Sequence, residues 1–102
     1  MNEGARVTKK RFAYEFEQDA TNQISFDYSP KGDDKIDSGV ESGKPVLYLN
    51  RPGMITLART LIKMATGDYR AGFHVHLRKN FNADLSDALT IILSPDDAPP
   101  YE

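Results

Sequence analysis

Asn50-Arg51-Pro52-Gly53-Met54-Ile55-Thr56-Leu57-Ala58-Arg59-Thr60-Leu61-Ile62-Lys63-Met64-Ala65 is the stretch from which the fold is read. Asn50 suits an N-cap, because its side-chain oxygen can accept an otherwise unpaired amide of the first turn. Pro52 suits that turn, where a missing N–H removes no helical bond. Met54, Leu57, Ala58, Leu61 and Ala65 recur at i, i+3 and i+4 and define one apolar stripe. Arg59, Thr60 and Lys63 lie away from it. Gly67 follows as the natural residue after the last turn. The spacing predicts an amphipathic helix that buries this stripe and exposes Lys63.

Outward from the helix the pattern changes to period two. Pro45 to Leu49 is a short apolar strand before it. Phe73, Val75 and Leu77 alternate after it with His74, His76 and Arg78, and Leu89, Ile91 and Leu93 alternate with Ala88, Thr90 and Ile92. Near the N-terminus, Phe12, Tyr14 and Phe16 alternate with Ala13, Glu15 and Glu17. Ile24, Phe26 and Tyr28 then alternate with Ser25 and Asp27, and the two runs read as a hairpin with an aromatic inner face. Residues 29–44 hold Pro30, Gly32, Gly39 and Gly43 among Asp33, Asp34, Asp37 and Glu41, and read as a long acidic loop. Residues 1–9 and 95–102 are expected to be flexible, the latter because Pro95, Pro99 and Pro100 cannot continue a ladder. The expected order is β-β-β-α-β-β in one domain over 1–102. That makes a two-layer α+β fold, a mainly antiparallel five-stranded sheet with one helix on one face.

Composition narrows the function. The 102 residues carry 13 basic and 15 acidic side chains, a net charge of −2, which argues against a strongly basic nucleic-acid binder. There is no cysteine, so disulfides, thiolate metal sites and thiol nucleophiles are excluded. No run approaches the roughly 20 apolar residues of a membrane helix. No apolar stretch follows the basic residues near the N-terminus, and a cytoplasmic location is expected. No Walker loop, dinucleotide glycine fingerprint or zinc-protease motif occurs. No catalytic residue or cofactor is expected.

The sheet face turned away from the helix is expected to carry Glu15, Glu17, Ser25, Asp27, Val46, Tyr48, His74, His76, Arg78, Thr90 and Ile92. Tyrosine, histidine and arginine together are common in protein-binding surfaces, although a solvated antiparallel face is the plain alternative. His74 and His76 point the same way, roughly 7 Å apart along a strand. A zinc site would need a third protein ligand, which the sequence does not specify, so no metal site is expected. A small metal-dependent enzyme using both histidines stays open as an alternative. So does a structural homodimer packing through Tyr48, His76 and Ile92. Asp33, Asp34 and Asp37 lack the 1, 3, 5 spacing of a calcium loop. Residues 15–41 hold eight acids and two lysines, 2 − 8 = −6, which would speed encounter with a basic partner.

Leu49-Asn50-Arg51-Pro52-Gly53-Met54, the Leu57-Ala58-x-x-Leu61-Ile62-x-Met64-Ala65 run and His74-Val75-His76-Leu77 resemble a family of small bacterial immunity proteins of polymorphic toxin systems. The resemblance spans about residues 45–94, and the matching motif positions are Asn50, Arg51, Gly53, His74, His76 and Leu77. Met54 stands where the family pattern has leucine. The resemblance implies a non-catalytic cytoplasmic protein that binds and blocks a toxin domain, and the acidity of residues 15–41 would suit a basic partner such as a nuclease. The expected binding residues, taken from the outer sheet face and the acidic loop, are Tyr48, His74, His76, Arg78, Asp33, Asp34 and Asp37.

Overall fold

A computed structural model describes residues 7–17, 24 and 32–94. Two antiparallel hairpins flank one helix. Strand β1, Ile36–Glu41, pairs with β2, Lys44–Leu49, in a register that sets Ile36 opposite Leu49 and Glu41 opposite Lys44. The turn is Ser42-Gly43, with φ of 52° and 78°. Two left-handed central residues match the twist of the strands they join, and glycine adopts the second without strain. Helix α1, Arg51–Thr66, follows. Strand β3, His74–Arg78, then pairs with β4, Asp87–Ile92, with a bulge between Leu77 and Arg78.

The fold is therefore α+β, but the expected single five-stranded sheet is replaced by two two-stranded sheets. Side chains tie the hairpins together. The Ser38 hydroxyl donates to the Ala88 carbonyl, the Ile36 amide donates to Asn80 Oδ1 at 3.2 Å, and Lys79 Nζ lies 3.4 Å from Asp37 Oδ2. Asn80 and Phe81 both have left-handed backbone, φ 55° and 53°. That conformation costs a non-glycine residue about 1–2 kcal/mol, offset here because Phe81 sinks into the core at 5% exposure.

The expected loop over 29–44 is corrected. Ile36 to Glu41 is a strand of which only Ile36 is buried in the core, while Val40 is exposed. One apolar anchor among acids and a glycine carries little alternation to read. Gly39 is there because the Tyr48 ring lies across it; a Cβ would stand 3.3 Å from Tyr48 Cε2. Residues 7–17 form no strand, although the Tyr14 and Phe16 rings stack at 5.9 Å. The second half of the expected aromatic hairpin, residues 25–28, lies outside the described residues, as do 1–6 and 95–102 of the expected flexible ends.

The helix face is also corrected. Thr56, Thr60 and Lys63 are buried at 3%, 3% and 4%, while Met54 and Leu61 are exposed at 53% and 44%. Close backbone contact decides the orientation. Gly53 sits against the Lys35 carbonyl, where a Cβ would come within 2.1 Å of the oxygen. One turn on, the Thr56 hydroxyl donates to Asp34 Oδ2 at 2.9 Å, and Thr60 donates to the Thr56 carbonyl at 3.0 Å. The buried threonines are thus satisfied internally. Gly67 follows the helix in extended rather than left-handed backbone, its N–H donating to the Lys63 carbonyl. The core gathers Ile36, Met64, Val75, Leu77, Phe81 and Ala88.

Candidate functional site

Strand alternation explains the β3 surface. Val75 and Leu77 are 5% and 1% exposed, so His74, His76 and Arg78 between and beyond them face out. The register adds Ile92 opposite His74 and Thr90 opposite His76, and the bulge brings Asp87 opposite Arg78. A connected polar row results. His76 Nδ1 is 2.8 Å from Thr90 Oγ1 and 3.5 Å from Asp87 Oδ2. Arg78 Nε reaches Asp87 Oδ1 at 3.0 Å, and its Nη1 donates to the Leu85 carbonyl at 2.9 Å. His74 Nδ1 lies 3.3 Å from the Gly72 carbonyl, and its ring meets that of His76 edge to face at 5.1 Å. Asp87 holds two neighbours at once, so the row is fixed although its side chains remain about half exposed.

Sequence reading did not single out Asp87, which opens β4. Regular pairing would set Ala88 opposite Arg78, and the bulge that brings Asp87 there leaves no signal in the alternation. Tyr48 lies on the other hairpin, 51% exposed, with Asp37 opposite it on β1. Its hydroxyl donates to Glu41 Oε2. That carboxylate, then desolvation and the charge of Asp37, raise the Tyr48 phenol above its ordinary value.

The acidic residues divide. Asp34 is 1% exposed and bonded to Thr56, so it is removed from the expected docking surface. Asp37 pairs with Lys79 and accepts from the Ser38 amide at 2.8 Å. Asp33 is exposed, with its carbonyl accepting from Asn50 Nδ2 at 2.7 Å. Much of the acidity in 33–41 is therefore engaged in holding the first hairpin and the helix start.

The junction motif has structural work to do. Asn50 Oδ1 accepts from Gly53 N at 2.9 Å as the helix cap and from Lys35 N at 2.8 Å. Gly53 provides the close approach described above. Leu77 fills the core. Of the six motif positions, Arg51, His74 and His76 remain exposed.

Among the described residues, no group of three or more His, Asp or Glu is arranged to hold a metal ion. None of their helices is long and apolar enough to cross a membrane. No protein-family model, curated protein or solved structure matches the chain.

Proposed function

We propose that this chain is a non-enzymatic binding protein of the immunity or antitoxin kind, working in the cytoplasm by occluding a toxin domain. The observation that carries the reading is the row His76–Thr90–Asp87–Arg78, a set of outward polar groups already held in place before any partner arrives. Preorganised side chains lose less freedom on binding, so each contact contributes more of its strength. His74 and Ile92 extend the row with aromatic and aliphatic surface, the mixture that protein interfaces favour. Tyr48 and Arg78 are residue types that often anchor such contacts. The exposed acids Glu15, Glu17 and Asp33 would steer a basic partner, such as a nuclease domain, toward the chain.

Co-expression tests this reading. The gene beside this one should encode a large protein ending in a toxin domain. Producing that domain alone should arrest growth, and adding this chain should restore it. The double variant His76→Ala with Arg78→Ala should fail to restore growth while accumulating as a folded protein. A neighbour that encodes no toxin domain, or a double variant that protects fully, would contradict the proposal.

A further inference from the structure

Helix α1 buries Thr56, Thr60 and Lys63 together with Gly53 and Met64, and leaves several of its apolar side chains facing out. Met54, Ile55 and Leu61 are exposed at 53%, 40% and 44%, and Ala65 is exposed with them. On the opposite side Thr56, Thr60 and Lys63 are buried. A contiguous apolar helix face of this kind is normally covered by another surface. We infer that the outward face of α1 packs against the same face of a second copy of this chain, the two helices antiparallel about a two-fold axis.

Three observations point to a second copy. Met54, Ala58, Leu61 and Ala65 are spaced by four, three and four residues, the seam of two packed helices. The stripe is also its own complement. Reversing it about the point midway between Ala58 and Leu61 sets Met54 against Ala65 and Ala58 against Leu61, so each large side chain meets a small one. A two-fold interface demands this self-matching. The third observation is charge. Arg51 opens the helix, and its first turn contains no acid. A cation at a helix N-terminus opposes the helix dipole, and an antiparallel copy would bring the negative C-terminal end of the partner helix beside it.

The helix of 16 residues is about 24 Å long. One helix face of that length is small beside the ~800 Å² per partner of a standard interface, so the association should be weak and reversible. The pairing residues all lie on α1, so the dimer does not use the β3–β4 row, and its test is independent of the proposed function.

Sedimentation equilibrium of the full chain from about 1 μM to 1 mM reads the association directly. A monomer–dimer equilibrium is expected. Ala58→Glu should weaken it by about 30-fold or more, the effect of disrupting an interface centre, with unchanged circular dichroism and unfolding midpoint. Ile92→Lys should leave it unchanged. The chain has no cysteine, which allows a clean check of register. A mixture of Ala58→Cys and Leu61→Cys chains should cross-link under mild oxidation more readily than either chain alone. A monomer throughout the range would overturn the inference. So would a dimer that Ile92→Lys dissolves and Ala58→Glu does not. An Ala58→Glu chain that is monomeric but less stable than a monomeric parent would place the cover within one chain and equally overturn it.

Discussion

The side-chain oxygen of Asn50 accepts the backbone amide of Lys35, fifteen positions earlier, at 2.8 Å. The same oxygen caps α1 through Gly53, and the Asn50 amide group donates to the Asp33 carbonyl. One side chain thus joins the end of β2, the start of α1 and the segment leading into β1. Aspartate could cap the helix but has no donor for the Asp33 carbonyl. Asn50→Ala should destabilise the chain by about 1–2 kcal/mol, the sum of a lost cap and a lost hydrogen bond at an exposed site. Urea unfolding at neutral pH measures it, and Asn50→Asp should retain part of the loss.

Gly53→Ala should be as damaging or worse. The added Cβ would meet the Lys35 carbonyl at 2.1 Å, so the helix start or the 33–35 segment must move. Overpacking of this kind costs about 1–3 kcal/mol and occasionally more. Circular dichroism should show the helix retained while the unfolding midpoint falls. An unchanged midpoint would mean that the close approach is absent.

Thr56→Val keeps the side-chain volume and removes the hydroxyl that donates to Asp34. Because the acceptor carboxylate is 1% exposed, the loss should be about 1.5–3 kcal/mol. The same change at Thr66, whose hydroxyl bonds to the Ile62 carbonyl at an exposed site, should cost less than about 0.5 kcal/mol. Equal losses in denaturant melts would contradict the buried pair.

Lys63→Ala should destabilise more than Leu61→Ala at protein concentrations too low for association. Lys63 is 4% exposed, its stem is buried, and its ammonium lies 6.0 Å from the centre of the Tyr14 ring. Leu61 is 44% exposed. The ranking reverses what hydrophobicity alone would give, and parallel urea melts decide it.

Where the sequence misled, the cause is physical. The helix could be read because Asn50, Pro52 and Gly67 punctuate it locally, and β3 because Val75 and Leu77 alternate with polar neighbours. The helix carries two stripes at helical spacing, Met54-Ala58-Leu61-Ala65 and Gly53-Thr56-Thr60-Lys63. Hydrophobicity favours the first, whereas the structure buries the second, because a glycine contact and an Asp34–Thr56 bond act across distant positions. The same long-range partners hid β1, whose single core side chain is Ile36. The histidines and Arg78 were legible as one face, but Asp87 entered the row only through a bulge that alternation cannot reveal.

Alkaline titration tests the Tyr48 contact. Its phenol is raised by the Glu41 carboxylate first, then by desolvation and Asp37. A raised folded value means the contribution is fully present below the ordinary tyrosine value near ~10 and is lost as pH rises through the folded value. Stability of the parent should therefore fall more steeply with pH above that range than that of Tyr48→Phe. Glu41→Gln should move the phenol back toward its ordinary value, read by ultraviolet difference absorbance. No movement would remove Glu41 as the cause.

Surface plasmon resonance at two salt concentrations, with the toxin domain expected from the neighbouring gene, reads the part that the β3–β4 row plays in binding. His76→Ala and Arg78→Ala should each speed dissociation, by about 30-fold where the residue is an anchor. Neutralising Glu15, Glu17 and Asp33 should instead slow association and flatten its salt dependence, because exposed charges act mainly on encounter. The contradicting result is unchanged dissociation for both β3 variants together with loss of binding in Ala58→Glu, which would move the docking surface from the β3–β4 row to the helix.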